Sequence, residues 1–305
     1  MLKAKKHLIV IAGPTAVGKT AVAIKLAKLF NTVIINADSR QFYKEMKIGT
    51  AKPSEDELTE VKHYFINNKS VTELYGAGHF AKEAKDLITK LFNDFDLLFL
   101  VGGSGLYIDA LLNGVDEFVD VPINVREELN LLYKTKGLNY LLKLLEEKDE
   151  HYFKQVDLNN TQRIIRALEV CIHTNKPYSS FLNNGSKSIN FNLVKILLNE
   201  DRETLYNKIN LRVDKMMNDG LLNEVIQLKT YNNLNALKTV GYKELFSYLE
   251  GEITLETAID KIKQHTRNYA KRQLTWFNNR GQYITFNPKD INSIVEFIKL
   301  KTANG

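Results

Sequence analysis

The chain has 305 residues, 44% of them hydrophobic and 26% charged, and a formal net charge of +6 at pH 7. This length suits one large or two modest domains with a real core, and no apolar run approaches the ~20 residues of a membrane span. Residues 1–6 run straight into an apolar stretch, so we expect no signal peptide and a soluble, cytoplasmic protein without a membrane segment. A single cysteine, Cys171, excludes a disulfide framework and a cysteine-based zinc site.

The most informative stretch starts with His7 to Ala12, an apolar, β-branched run of the length of a buried strand. The residues after it match the phosphate-loop pattern G-x-x-x-x-G-K-[ST]: Gly13, Pro14, Thr15, Ala16, Val17, Gly18, Lys19 and Thr20. Residues 20–30 then carry apolar side chains at helical spacing. A strand, a glycine loop and a helix direct backbone N–H groups at an anion, so the chain is predicted to bind a diphosphate or triphosphate. Lys19 would reach the outer phosphoryl group, and the Thr20 hydroxyl would ligate Mg²⁺.

Two further apolar runs, residues 32–36 and 97–101, are separated by a helical segment near residues 80–92. Continuous apolar strands between helices indicate a parallel sheet that is covered on both faces. Ligands gather at the carboxyl edge of such a sheet, and each run ends there in a polar or glycine-rich loop. The loops expected to surround one crevice are 13–20, 38–41 and 102–105.

The second of these loops reads Asp38-Ser39-Arg40-Gln41. A carboxylate at this edge suits a general base or a Mg²⁺ ligand, and the alternative is a helix N-cap, for which Asp and Ser are both favoured. In the third loop, Ser104 suits donation to a phosphate or a base, and the alternative is a plain strand-to-helix turn.

The sequence changes character after Gly114. Residues 122–182 are dominated by Leu, Glu, Lys and Asn at helical spacing, and strand character returns at residues 193–198 and 283–286. We therefore predict an α/β fold, with a parallel phosphate-loop sheet flanked by helices and a small helical insertion domain. The predicted core comprises residues 1–117 and 193–305, and the predicted insertion comprises residues 118–192.

Two arginines of the insertion, Arg163 and Arg166, share a face of a predicted helix over residues 161–174. This pairing suits phosphate or base-edge contacts, and surface salt bridges are the alternative. Arg212, at the head of a later amphipathic stretch, has the same two interpretations.

Residues 261–289 contain no Asp or Glu. Basic and aromatic side chains alternate there: Lys261, Lys263, His265, Arg267, Tyr269, Lys271, Arg272, Trp276, Phe277, Arg280, Tyr283 and Lys289. Such side chains suit contacts with a nucleic-acid backbone and with unpaired bases, and the alternative is a solvated helix face whose aromatics belong to the core. The six histidines show no metal-ligand spacing.

In this order, the motifs resemble the tRNA dimethylallyltransferase family, also called tRNA isopentenyltransferases, in its bacterial form. The stretches that carry the resemblance are 13–20, 36–41, 48–53, 101–107, 162–169, 212–221, 240–245 and 271–277. Ser104 stands where many relatives carry Thr and keeps the hydroxyl.

The resemblance implies transfer of a dimethylallyl group from dimethylallyl diphosphate to N6 of the adenosine that follows the anticodon in tRNA, with Mg²⁺ as cofactor. Asp38 would be the general base, aided by Lys19 and Thr20, and residues 13–20 with Arg212 would bind the diphosphate. Residues implied in binding the anticodon stem-loop are Asp38, Ser39, Arg40, Gln41, Ser104, Arg126, Gln162, Arg163, Ile164, Ile165 and Arg166. We expect a monomer. A small-molecule kinase is the leading alternative. Prenylation of free adenine nucleotides and non-catalytic RNA binding are the others.

Overall fold

The computed structural model describes residues 5–114, 120–182, 191–280 and 282–303. Contacts divide the chain into a larger unit, Met1–Leu112 with Ile189–Gly305, and a smaller unit, Asn113–Ser188. The predicted start of the insertion, residue 118, lies outside the described residues. Its predicted end, residue 192, is the first residue of a strand of the larger unit.

The strands are β1 (His7–Ala12), β2 (Ile34–Asn36), β3 (His63–Tyr64), β4 (Leu97–Gly102), β5 (Asn192–Leu198) and β6 (Ile284–Phe286). The first helices are α1 (Lys19–Leu29), α2 (Glu55–Glu60), α3 (Ala77–Leu91) and α4 (Gly105–Asn113). The smaller unit contains α5 (Ile123–Lys136), α6 (Leu138–Lys148), α7 (Glu150–Phe153) and α8 (Thr161–Thr174). The last helices are α9 (Arg202–Asn218), α10 (Leu221–Gln227), α11 (Tyr242–Leu249), α12 (Leu255–Asn279) and α13 (Ile291–Ala303). Short 3₁₀ turns lie at Tyr178–Phe181, Lys229–Tyr231 and Asn235–Leu237.

Within the described chain the strands form one sheet in the order β3-β2-β4-β1-β5-β6, and every pair is parallel. The predicted parallel sheet with flanking helices is therefore confirmed. Strand β1 lies between β4 and β5 and is buried along its whole length, as its continuous apolar run predicts. β3 was not predicted, because two half-buried residues leave no periodic signal.

Helix α1 packs its apolar stripe, Val22, Ala23, Leu26 and Ala27, into the same core as the sheet residues Ile9 and Ile11. This packing holds α1 beside β1, so residues 13–18, which connect the two, lie at the carboxyl edge of the sheet. Helices α9 to α12 enclose a second core of the larger unit, which includes the fully buried Tyr242.

The smaller unit is helical, as the composition of residues 122–182 predicts. Its core is built from one face of α8 and the apolar faces of α5 and α6, with Leu129, Leu141, Leu145 and Leu168 buried. Cys171 is buried in this core as a free thiol, and burial raises the pKa of the thiol. Among the described residues of the whole chain, no helix is long and apolar enough to cross a membrane.

Candidate active site

The phosphate loop has the backbone geometry that its glycines predict. A Cβ at Gly13 would lie 2.6 Å from the carbonyl oxygen of Leu198, so only glycine allows this approach to β5. Gly18 caps α1 at a φ of 101°, and a Cβ there would meet only the Pro288 side chain, at 3.9 Å. Ala16 is also left-handed, with a φ of 65°. Left-handed residues within a turn make backbone N–H groups converge, which is the geometry of an anion-binding nest.

Lys19 lies folded over this loop. Its Nζ donates to the carbonyl oxygens of Gly13, at 3.0 Å, and Pro14, at 2.7 Å. Burial lowers the pKa of Lys19 to about 8; the negative charge of Asp38 opposes this effect and the positive charge of Arg212 adds to it. Lys19, Asp38 and Arg212 therefore act on one another electrostatically at the same edge of the sheet.

Arg212 projects from α9 to the phosphate loop, where its Nη1 donates to Thr15 Oγ1 at 3.1 Å. Burial lowers the pKa of its guanidinium, and Asp38 opposes that shift. The surface salt bridge considered for Arg212 is therefore wrong, because the guanidinium is directed at the loop rather than at a surface carboxylate.

Asp38 follows β2 and closes a tight turn, in which its Oδ1 accepts a hydrogen bond of 2.9 Å from the Arg40 amide. No helix starts at this turn, so the N-cap interpretation of Asp38 and Ser39 is wrong. The Ser39 amide donates to Ser104 Oγ at 2.9 Å. A Cβ at Gly102 would lie 2.3 Å from the Ala37 carbonyl oxygen, so the loops after β2 and β4 touch through backbone.

The loop after β4 is also joined to the phosphate loop. Gln273 of α12 accepts from the Thr15 amide at 2.9 Å and donates to the Gly103 carbonyl at 2.8 Å. With the contact between Ser39 and Ser104, this bond confirms that the loops after β1, β2 and β4 gather at one place. Sequence reasoning did not select Gln273 as a site residue, because a single amide in a basic run carries no motif.

Two side chains of the loop after β2 hold neighbouring segments. Nη1 of Arg40 donates to the carbonyls of Asn235 and Ala236, each at 3.1 Å. The buried Gln41 donates through Nε2 to the carbonyls of Thr50 and Ala51, also at 3.1 Å each. These bonds fix the loop and commit the amide of Gln41 to the protein. The predicted RNA contacts of both residues stay predictions.

Glu224 of α10 anchors the segment at residues 47–49, and sequence reasoning missed it. Its carboxylate accepts from three successive backbone amides, those of Lys47, Ile48 and Gly49, at 2.8–3.0 Å. It also accepts from the Tyr242 hydroxyl at 2.6 Å. A Cβ at Gly49 would lie 2.6 Å from the Tyr242 ring, so the glycine is required for this close approach.

Two tyrosines lie near Asp38. The Tyr269 hydroxyl hydrogen-bonds Ser104, and burial, reinforced by the charge of Asp38, raises the pKa of Tyr269 to about 12. Burial likewise raises the pKa of Tyr107 to about 12. Both phenols therefore stay neutral near pH 7 and add no charge beside the Asp38 carboxylate.

The basic region forms most of α12, and its side chains divide into two kinds. Paired ones include Lys263, which contacts Asp214 at 2.6 Å, and Arg267, which donates to Asn210 at 2.7 Å. Phe277 is fully buried, as the core alternative predicts. Side chains that line an open groove of α12 are Lys271, Arg272, Trp276 and Arg280, and the Arg280 guanidinium lies 4.9 Å from the indole centroid. Arg280 is also paired, since its Nε lies 3.5 Å from Asp109 Oδ2, whereas Lys271 and Arg272 are exposed.

In the smaller unit, Arg126 and Arg166 both contact Glu169, whose side chain is buried. The bond from Arg166 Nη1 is 3.1 Å, and Arg126 makes two bonds through Nε and Nη2. This shared carboxylate orients both guanidinium groups, so a salt-bridge network is present. Gln162 and Arg163 are exposed on the same helix. The predicted RNA contacts of Ile164 and Ile165 need correction, because both side chains are buried in the helical core.

A divalent cation would find oxygen donors at the phosphate loop. Thr20 lies in the first turn of α1, beside the nest, and a hydroxyl together with diphosphate oxygens and water is a donor set that Mg²⁺ accepts. Among the residues that the structure describes, no group of three or more His, Cys, Asp or Glu side chains could hold a metal ion by itself.

Residues 41–280 match the family model described as IPP transferase. The chain is 49% identical to a tRNA dimethylallyltransferase of Flavobacterium johnsoniae over 96% of this chain and 97% of that protein. A solved tRNA isopentenylpyrophosphate transferase of Bacillus halodurans is 37% identical, with a TM-score of 0.73 and 98% of each chain covered. A solved eukaryotic dimethylallyltransferase acting on tRNA is 28% identical, with a TM-score of 0.78 and 94% of this chain and 75% of that chain covered. The chain therefore belongs to the tRNA dimethylallyltransferase family.

Proposed function

We propose that this chain transfers a dimethylallyl group from dimethylallyl diphosphate to N6 of the adenosine on the 3′ side of the anticodon in tRNA, and releases diphosphate. The observation that carries the proposal is that Lys19 and Arg212 both contact the phosphate loop at the carboxyl edge of the sheet, where Asp38 is held in the turn after β2. One carboxylate and two cations at that edge suit a reaction that removes a proton and expels the highly charged diphosphate.

The donor's diphosphate binds against the nest of residues 13–18 and the start of α1. Lys19 exchanges its carbonyl partners for phosphate oxygens, which are stronger acceptors because they are charged. Arg212, held at Thr15, supplies a second cation. These groups are fixed before the reaction and stabilise the negative charge that grows on the leaving diphosphate.

The nucleophile is the exocyclic amine of adenine, whose lone pair is delocalised into the ring. A bond forms between N6 and C1 of the dimethylallyl group while the bond between C1 and the diphosphate oxygen breaks. The electron pair of that broken bond leaves with the diphosphate, and the proton of N6 passes to the Asp38 carboxylate. The bond from the Arg40 amide holds Oδ1 of Asp38, so the carboxylate keeps its direction during the transfer.

Mg²⁺, held by the Thr20 hydroxyl and the diphosphate oxygens, would supply further charge stabilisation for the leaving group. Lys19 and Arg212 would still stabilise the charge on the leaving diphosphate, since both already lie at the same loop.

The tRNA brings its anticodon stem-loop, and the target base must leave its stack to reach Asp38. This unstacking costs a few kcal/mol, less in a loop than in a duplex. We propose that Ser39 and Ser104 contact the extruded adenosine and that Arg126, Gln162, Arg163 and Arg166 of the helical unit contact the anticodon loop. The groove of α12 then binds the RNA backbone. We further propose that the enzyme acts as a monomer in the cytoplasm.

The test incubates the protein with unmodified tRNA, Mg²⁺ and dimethylallyl diphosphate, followed by mass spectrometry of the digested nucleosides. A prenyl-sized mass gain on adenosine is the expected result. Asp38→Asn removes the base and keeps the shape, so its turnover should fall by about 10²–10⁴ while donor affinity stays unchanged. Asp94→Asn, at an exposed aspartate after α3, is the matched control and should retain full turnover.

Three outcomes contradict the proposal. Full turnover of Asp38→Asn removes Asp38 from the mechanism. Tight tRNA binding without any product supports a non-catalytic RNA-binding protein. ATP turnover with a small acceptor, and no prenylated nucleoside, supports a small-molecule kinase.

A further inference from the structure

One buried amide joins two of the loops at the carboxyl edge of the sheet, and we propose that Gln273 is a positioning residue for diphosphate binding. This inference rests on the proposed function, in which diphosphate is the leaving group. Helix α12 would then position the donor site in addition to binding the RNA backbone through its exposed groove.

Gln273 lies in the C-terminal half of α12 and is 6% exposed. Its Oε1 accepts from the Thr15 amide of the phosphate loop, and its Nε2 donates to the Gly103 carbonyl of the loop after β4. These loops follow β1 and β4, which are neighbours in the sheet. A primary amide carries a donor and an acceptor on adjacent atoms, so one side chain satisfies both backbone groups.

The Gln273 amide packs closely against the loop after β4. A Cβ at Gly103 would lie 2.3 Å from Gln273 Nε2 and 3.3 Å from the Gly13 carbonyl oxygen. The opposite amide orientation would direct Nε2 at the Thr15 N–H and Oε1 at the Gly103 carbonyl, and both contacts would repel. The surroundings therefore impose one orientation on Gln273, and Gln273 in turn fixes the backbone of Thr15.

Thr15 is held at two atoms, its amide by Gln273 and its hydroxyl by Arg212. The next residue, Ala16, has a φ of 65°, a conformation that a residue with a Cβ rarely adopts without support. Without the bond from Gln273, the loop can relax from this conformation, and the N–H groups that follow Thr15 lose their convergence. The loss weakens diphosphate binding and leaves the RNA groove of α12 unchanged.

The test measures binding of magnesium pyrophosphate to the full chain by calorimetry. Gln273→Met keeps the side-chain length and loses both hydrogen bonds, so the pyrophosphate Kd should rise about tenfold or more. The Kd for an anticodon stem-loop RNA should stay within about twofold. Gln227→Met, at an exposed glutamine of α10, is the matched control and should change neither Kd.

Gln273→Glu gives a second readout that a purely structural role would not produce. Its neutral carboxyl group can accept from Thr15 and donate to Gly103 as the amide does, whereas the ionised form cannot donate. The ratio of the variant's pyrophosphate Kd to the wild-type Kd should therefore fall towards one as the pH is lowered from 8 to 6. Gln273→Met should show no such recovery.

The proposal is overturned if Gln273→Met has the wild-type pyrophosphate Kd. A wild-type Kd with fewer binding sites per chain also overturns it, since that result reports lost folding of part of the protein. If Gln273→Met does not fold, a Kd ratio of Gln273→Glu that is independent of pH overturns it instead. Failure of the proposed function is read separately, because a wild-type protein that binds pyrophosphate and transfers no prenyl group contradicts the reaction and not the role of Gln273.

Discussion

The protonation state of Lys19 should control donor capture above neutral pH. Burial lowers its pKa from the ordinary 10.5 to about 8, a difference of about 3 kcal/mol between the charged and neutral forms. With that pKa, about nine-tenths of the free enzyme carries the cation at pH 7 and about one-tenth at pH 9. Since the neutral amine cannot stabilise a diphosphate, kcat/KM for dimethylallyl diphosphate should fall about tenfold over this range.

Bound diphosphate brings negative charge next to Lys19 and favours the ammonium form, so the pKa of Lys19 should rise in the donor complex. Because kcat reports the enzyme–substrate complex, it should change much less than kcat/KM between pH 7 and pH 9. The assay is steady-state prenylation of an anticodon stem-loop at saturating RNA, with the donor varied at each pH. Phosphate groups lose their last proton near pH 6, so the charge of the donor is nearly constant over the upper part of this range.

Lys19→Arg is the control, because its guanidinium stays charged at every pH used. Its kcat/KM should be lower than that of the wild type and flat up to pH 9. The reasoning is refuted if wild-type kcat/KM is also flat, or if Lys19→Arg shows the same decline as the wild type. The first result would mean that Lys19 is fully charged in the free enzyme, and the second that another group titrates.

Two further predictions concern the supporting structure and the RNA surface. Glu224→Ala leaves three backbone amides and the Tyr242 hydroxyl without their acceptor, so the free energy of unfolding should fall by about 3 kcal/mol in urea titrations with an unchanged m value. Combined substitution of Lys271→Ala and Arg272→Ala removes two cations from the α12 groove. The slope of log K against log salt for stem-loop binding should become shallower by about 1.4–1.8.

Each of these has a matched control. Glu252→Ala removes an exposed carboxylate of the larger unit and should change stability by less than about 0.5 kcal/mol. An equally small effect of Glu224→Ala would mean that water replaces the carboxylate at residues 47–49. Lys85→Ala with Lys299→Ala removes two exposed lysines of α3 and α13 and should leave the salt slope unchanged. Equal slopes for both double variants would place the RNA backbone away from the groove of α12.

Features that depend on local sequence were predictable. The apolar runs predict the buried strands because a central parallel strand has no polar face, and residues 7–12 match β1 at both ends. The phosphate loop could be recognised in the sequence because its glycines and Lys19 have fixed spacing between a strand and a helix. The gathering of three loops at one edge followed from the direction of parallel strands.

Contacts between distant positions could not be predicted in this way. Gln273 and Thr15 are 258 positions apart, and Glu224 and Lys47 are 177 apart. In the sequence, a lone Gln beside Arg272 and a Glu in an amphipathic helix look like solvated residues. What makes them important is that their polar groups are buried against unpaired backbone N–H and C=O groups, a property of the tertiary structure alone.

Helix α12 combines a feature that local sequence predicts with contacts between distant positions that only the structure shows. Its basic composition indicates a solvated face, and Lys271 and Arg272 do line an open groove. Tyr269, Gln273 and Trp276 follow one another along the helix at spacings of four and three residues, and Trp276 also lines the groove. Their side chains contact the loop after β4: Tyr269 bonds Ser104, Gln273 bonds the Gly103 carbonyl, and Trp276 packs where a Cβ of Gly105 would lie, 2.3 Å away. One rigid helix therefore carries a surface suited to RNA and the contacts that position two loops of the proposed donor site. Substitutions of Lys271 and Arg272 should therefore change RNA affinity alone, and Gln273→Met should change diphosphate affinity alone.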